Sequence, residues 1–227
     1  GQIWAIADSF ATLSLQKDFA YCRDGDTLWT FVGCNEINAG EQKIRIVSFS
    51  MATEAITSDA KYSADVTDPF NNDMAIVALC RGTNDMVLAF SGATSGGNTR
   101  VSYALWDGST LTAPGSVTGQ SGSVDFRLAG AALDTVNSRI HIFIASNQGS
   151  SSSESQINSA LHHVSMEPGN SFNTFQNLAD YVSPEAYWLV GSGLGIPLVA
   201  NGTIAVGVYR RPQASADFNW IGRLYVY

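Results

Sequence analysis

Ala75-Ile76-Val77-Ala78-Leu79-Cys80-Arg81-Gly82-Thr83-Asn84-Asp85-Met86-Val87-Leu88-Ala89-Phe90 decides the fold. Its two arms are apolar at nearly every position, with no polar alternation. The first arm, like the first strands of the stretches below, is small and apolar on both faces, and a strand of that kind is covered on both sides. Between the arms, Arg81 to Asp85 supplies the Gly and Asn that tolerate positive φ and reverse the chain. The stretch predicts a buried β-hairpin.

Three other stretches repeat it. Phe19-Ala20-Tyr21-Cys22 turns through Arg23 to Asp26 and returns as Thr27 to Gly33. Ala131-Ala132-Leu133 turns near Asp134 to Ser138 and returns as Arg139 to Ala145. Ile196 to Val199 turns at Ala200-Asn201-Gly202 and returns as Thr203 to Tyr209. Each hairpin is followed by a polar loop and a third strand, at Lys43 to Ser50, Arg100 to Trp106, Ala160 to Met166 and Ile221 to Tyr227. A more polar fourth strand is predicted at Glu54 to Thr57, Thr110 to Ala113 and Asn173 to Phe175. The period is roughly 60 residues, long for a four-stranded blade. Cys22, Cys80, Leu133 and Val199 align as equivalent positions. No long amphipathic helix competes with this pattern.

The pattern predicts an all-β fold: a small β-propeller of four blades, each with four antiparallel strands, occupying 1–227 as a single domain. Small apolar first strands suit the crowded centre of a propeller. The last repeat stops at its third strand, and the chain opens on Gln2-Ile3-Trp4-Ala5-Ile6-Ala7. The expected closure has this N-terminal strand completing the last blade, which removes an exposed edge. The alternative is a segment of a longer propeller.

Composition narrows the partners. The 227 residues carry a net charge of −8, and only 14% are charged. Lysine stands only at Lys17, Lys43 and Lys61. Phosphate backbones require clustered cations, so nucleic acid is not an expected partner. No apolar run approaches the ~20 residues of a membrane span, and no membrane insertion is expected. A surface of short neutral polar groups points to an extracellular, cell-surface or virion location. Cys22, Cys34 and Cys80 lack metal-ligand spacing. They read as buried thiols, with a Cys22–Cys34 hairpin bridge as the alternative outside the cell.

Two segments carry a family resemblance. Arg100-Val101-Ser102-Tyr103-Ala104-Leu105-Trp106-Asp107-Gly108-Ser109-Thr110 resembles the Y-A-x-W-D-G-S-x-W strand-turn-strand of sialidase-like β-propeller repeats. Arg139-Ile140-His141-Ile142-Phe143-Ile144 resembles their x-L-H-V-A-Y strand. The resemblance implies the fold. The Asp-box of true sialidases, S-x-D-x-G-x-T-W, is absent, and Trp106 to Thr110 is its nearest counterpart. A weaker resemblance to four-bladed hemopexin-like domains rests on blade number and on an acidic residue before the inner strands.

Long polar loops between second and third strands, and between blades, should share one face, with tight turns opposite. Binding belongs on the loop face. The candidate ligand-binding residues are Arg100, Tyr187, Trp188, Arg210, Arg211 and Trp220, cations and aromatic faces suited to a glycan or a protein. Asp18, Asp73 and Asp125 precede inner strands and are the candidate metal ligands for a structural cation at the channel mouth. No other cofactor is expected. The competing role for these three is hydrogen bonding to loop backbone. His162 and His163 are neighbours on one strand and point to opposite faces, so they cannot share a metal. They and His141 read as satisfied core or interface histidines.

No catalytic residues are assigned. Sialidase-type residue types exist on the loop face, in Arg100, Arg210, Arg211, Tyr62, Tyr181, Glu36, Glu41 and Glu185, but no spacing joins them. The favoured expectation is a non-catalytic module binding glycan or protein. The alternatives are a self-assembling structural subunit of a filament or virion, and a sialidase-like glycoside hydrolase.

Overall fold

A computed structural model describes residues 13–36, 42–63, 75–93, 99–120, 125–148, 158–181, 198–200, 203–210 and 221–226. All regular structure among them is β. Sheet 1 contains β1 (Leu13–Asp24), β2 (Thr27–Glu36), β3 (Gln42–Ser50) and β4 (Ala55–Ser63). Sheet 2 contains β5 (Ala75–Gly82), β6 (Asp85–Ala93), β7 (Thr99–Trp106) and β8 (Gly115–Ser116). Sheet 3 contains β9 (Asp125–Asp134), β10 (Arg139–Gln148), β11 (Asn158–Met166) and β12 (Gln176–Tyr181). Sheet 4 has three strands, β13 (Leu198–Ala200), β14 (Thr203–Arg210) and β15 (Ile221–Val226). Within each sheet the strands follow chain order and every pairing is antiparallel. The first strands lie side by side, β1 by β5, β5 by β9 and β9 by β13. These are successive blades, as the sequence predicts. The expected closing strand, 2–7, lies outside the described residues.

Period-two alternation distributes the core. Met86, Leu88 and Phe90 of β6 pack with Phe31, Ile44 and Ile46 between sheets 1 and 2. Val87 and Ala89 of the same strand pack with Leu128, Ile140, Ile142 and Ile144 between sheets 2 and 3. The run Met86 to Phe90 is apolar throughout because each neighbour takes alternate residues. Trp29 meets Trp106 edge to face across the first seam, with ring centroids 5.4 Å apart.

Three expectations are corrected. The fourth strand of sheet 2 is Gly115–Ser116, not Thr110 to Ala113. A turn intervenes, because the Asp107 carboxylate accepts the backbone N–H groups of Ser109 at 2.8 Å and Thr110 at 2.7 Å. Leu111 forms only an isolated bridge to Trp106. The fourth strand of sheet 3 likewise starts at Gln176, after Asn173 to Phe175. Here the Asn173 N–H donates to the Ser165 carbonyl at 2.9 Å, and Phe172 bridges Met166, before the ladder proper begins.

Second, β1 is not covered on both faces: Phe19 is 55% exposed and Tyr21 66%. They point away from the first seam, which takes Ala20 and Cys22.

Third, the four aligned positions are not equivalent. Cys80, Leu133 and Val199 stand opposite Met86, Ile140 and Ile204, each one residue into the second strand. Cys22 stands opposite Trp29, two residues in. A one-residue offset in a strand reverses the face. Cys22 therefore points from sheet 1 toward sheet 2, whereas Cys80 points from sheet 2 toward sheet 1. The Cys22–Cys34 alternative fails on the same register, because Cys34 stands opposite Gln16 and Cys22 is a free thiol. Five residues of strand, about 16 Å, separate Trp29 from Cys34.

Candidate functional site

The two ends of the sheets differ in chemistry. At the end with the β1–β2 and β5–β6 turns, polar groups are used in structure. Arg81 pairs with Asp85 at 2.7 Å and its Nη1 donates to the Pro168 carbonyl at 3.4 Å, linking sheets 2 and 3. The Asn84 N–H donates to the Asp24 carboxylate at 2.8 Å, linking sheets 1 and 2. Arg139 pairs with Glu167 at 2.7 Å. Arg23 and Arg81 lie on this turn end, as expected. Asp107 holds the Thr110 and Ser109 backbone N–H groups, and Asp134 holds the Asn137 side-chain amide and then the Val136 and Asn137 backbone N–H groups; these hydrogen bonds lower both carboxyls from the ordinary value of 3.8.

The loop end of the seam between sheets 2 and 3 is different. Arg100 is the second residue of β7, and its guanidinium lies 5.3 Å from the centroid of Phe126, the second residue of β9. Its Nη1 donates to the Thr99 carbonyl at 3.0 Å. Phe126 is buried, and His162 of β11 tilts against it at 6.0 Å. Phe175 stacks on His162, with centroids 4.7 Å apart. On the same face, Ser146 Oγ and His162 Nε2 share a hydrogen bond of 2.7 Å.

A clamp fixes the wall of this cleft. Gln120 accepts the Val101 N–H at 2.7 Å and donates to the Val101 carbonyl at 2.6 Å. Beside it, Gly119 adopts φ +87° directly against the Phe175 ring. The result is a half-buried guanidinium over an aromatic ring, with a hydrogen-bonded hydroxyl–imidazole pair behind it in the same seam. Such a set can bind an anionic or hydroxyl-rich ligand through directional donors beside an apolar wall.

Of the expected binding residues, only Arg100 is described in full. Arg210 ends β14 opposite Ile221, with its side chain outside the described set. Tyr187, Trp188, Arg211 and Trp220 lie outside the described residues, as does Asp73. Asp18 stands opposite Gly33 and Asp125 opposite Asn147. Counted along the partner strands from Thr27 and Arg139, those are six and eight residues from the turn, so the backbone sets them at different levels. Among the described residues, no group of three or more His, Cys, Asp or Glu could hold a metal ion. Sequence reading passes over Phe126, Ser146, His162 and Phe175 as site residues. The available signal is polarity at fixed parity: Ser146 and His162 interrupt the face that Ile140, Ile142 and Ile144 otherwise make apolar.

His162 and His163 do point to opposite faces, and each has a hydrogen-bond partner. Away from the cleft, His141 Nδ1 and His163 Nε2 lie 2.9 Å apart. Their centroids are 5.1 Å apart and their planes differ by 15°. At that separation the rings meet edge to edge in nearly one plane, the geometry of an N–H directed at a lone pair. At least one ring must therefore be neutral.

Burial pushes His163 down from 6.5 to about 4, reinforced by the neighbouring His141. Burial lowers His141 as well, reinforced by Arg139. Both folded values lie below the unfolded one. The unfolded chain then binds more protons between pH 6.5 and about 4, so stability is lost as pH falls through that window. The Asp107 and Asp134 contributions persist until pH drops below 3.8. Melting at pH 7.0 and 4.5 should show a fall in Tm of about 3–6 °C. His163→Phe should flatten that dependence, and a wild-type Tm that is level across the window would contradict the buried, neutral pair.

No protein-family model and no curated protein matches the sequence. The structure is similar to solved propeller structures. Against an α-L-arabinanase of Penicillium chrysogenum the TM-score is 0.61 at 8% identity, covering 93% of this chain and 62% of that one. Against an α-L-arabinofuranosidase of Fusarium graminearum it is 0.53 at 13% identity, covering 96% and 62%. A subtype N10 neuraminidase-like protein of A/little yellow-shouldered bat/Guatemala/060/2010 gives 0.51 at 10% identity, covering 92% and 59%. The chain thus spans about three fifths of the length of these three structures. At such identities the likeness shows the fold: an all-β propeller arrangement of antiparallel sheets.

Proposed function

We propose that this chain is a carbohydrate-binding propeller domain, with the Arg100–Phe126–His162–Phe175 cleft as part of its binding face. The observation that carries the reading is the guanidinium of Arg100 set over an aromatic ring at the loop end, beside the Ser146–His162 pair. Sugars present hydroxyls to directional donors and apolar ring faces to aromatic walls. The fold is shared with an arabinanase, an arabinofuranosidase and a neuraminidase-like protein. The low charge and neutral polar surface suit an extracellular or virion setting.

A glycan array followed by titration calorimetry tests this reading. Arg100→Ala should weaken binding of the best glycan about 10- to 100-fold, the range for a lost charge-assisted hydrogen bond. Binding to no glycan, or equal affinity for wild type and Arg100→Ala, would remove the proposal.

The second reading is glycoside hydrolysis, favoured by the hydrolase neighbours. It requires two facing carboxylates. Among the described residues, Asp24, Asp26, Asp85, Asp107, Asp134 and Glu167 lie at or beside the turn end, whereas Asp125 next to Phe126, Asp180 opposite Ala160 and Glu36 at the end of β2 stand at the loop end. Fluorogenic arabinosides and sialosides discriminate the two readings, since turnover would establish hydrolysis.

A further inference from the structure

Cys22 and Cys80 lie on the innermost strands of neighbouring sheets, β1 and β5, which run side by side. The register turns them toward each other: Cys22 shares a face with Trp29, and Cys80 with Met86. Both Trp29 and Met86 belong to the core between sheets 1 and 2; Cys22 is a member of that core and Cys80 packs against it. The two cysteines also stand at matching heights, each two residues before the position that closes its hairpin, Asp24 and Gly82. Asp24 ties that height across the seam through its bond from the Asn84 N–H. Both thiols are free, and the Cys80 thiol donates to the Gly82 carbonyl at 3.2 Å.

We propose that Cys22 and Cys80 are a redox-controlled covalent link between the first two sheets, formed by exchange with a small-molecule disulfide of the glutathione class. One protein thiol loses its proton and attacks a sulfur of the small disulfide, giving a mixed disulfide and one released thiol. The second protein thiolate then displaces the other small thiol. Two protein thiols and one disulfide become one protein disulfide and two small thiols. The protein loses two electrons and two protons, and the small disulfide gains them.

The environment sets the order and the rate. Burial pushes the Cys22 thiol up to about 12, with Cys80 and Asp24 adding to the effect. Cys80 is raised less and is the more accessible of the two. Cys80 therefore enters the exchange first and Cys22 resolves it. Slow exchange follows, because the thiolate is the attacking species. Once formed, the link spans 57 intervening residues of chain (23–79) and restricts the unfolded state accordingly.

The full chain is incubated with oxidised and reduced glutathione at several ratios, quenched with iodoacetamide and digested with trypsin. The expected product joins the peptides 18–23 and 62–81, two mass units below their sum, and appears without denaturant. Oxidation should raise Tm by about 5–10 °C. Cys34→Ser should keep that rise, and Cys80→Ala should lose it. A link involving Cys34, or glutathione adducts at Cys22 and Cys80 with no joined peptide, would overturn the proposal. The joined peptide is read on wild-type protein, so the result does not depend on whether Cys80→Ala folds.

Discussion

Phe31→Ala is expected to destabilise the fold by about 3–5 kcal/mol, the range for deleting a fully buried aromatic side chain. Phe31 has no exposed surface, and it lies on the seam-facing side of β2. Leu88 and Phe90 belong to the same core, and both are also fully buried on β6, a strand packed on its other side by sheet 3. β6 cannot shift to fill the space without disturbing that second core, so a cavity should remain. Tyr21→Ala on the neighbouring strand is the control. Its side chain is 66% exposed, and its loss should change stability by less than about 1 kcal/mol. Urea unfolding of both variants measures the contrast. Equal effects from the two would mean that sheets 1 and 2 do not pack face to face as described.

Gly119→Ala carries the second large effect. At φ +87°, an alanine is strained by the backbone alone. Its Cβ would also lie 2.3 Å from Cγ and 2.5 Å from Cβ of Phe175. These atoms sit at the root of the ring, so rotating the side chain does not clear them. The segment must move, and Phe175 must leave His162. The expected cost is about 2–4 kcal/mol, together with a changed environment for the His162 ring. Thermal melting reads the first, and the imidazole resonances of His162 read the second. Gly82→Ala serves as the control, because nothing lies within 4 Å of the position its methyl would take. A melt and a His162 signal unchanged in Gly119→Ala would contradict the packing of Phe175.

Both variants touch features with very different legibility in the sequence. The packing of successive sheets follows from composition and period: a small apolar first strand such as Ala75 to Cys80 needs a cover on each side. The hairpins and third strands follow from the same reasoning, since Gly25, Asn84 and Ser138 occupy their turns with positive φ. The fourth strands are harder to place. Asp107 captures backbone donors that an early strand would use, and pairing resumes only at Gly115, whose backbone abuts the Tyr103 ring. The face of Cys22 escapes the sequence because parity depends on counting from the closing pair, and hairpins with different turn lengths look alike along the chain.

The cleft is the least legible part. Arg100, Phe126, Ser146, His162 and Phe175 come from separate strands or their flanks, one from each. None has a local spacing that marks it. Only the pairing of β9, β10, β11 and β12 within sheet 3, and the approach of sheet 2 to sheet 3, brings them together. Arg100 stands out by its charge, while its neighbours read as core.

The shared strand β6 has a further consequence. Its amides are covered by β5 and β7 in the plane of the sheet and by a packed core above and below. Solvent deuterium can reach them only when both cores open together. They should exchange through global unfolding, whereas the amides of β1, with one face open at Phe19 and Tyr21, should exchange through local separation of the first sheet. The molecule would then come apart from its first sheet inward, and β6 would keep the record of the whole fold longest.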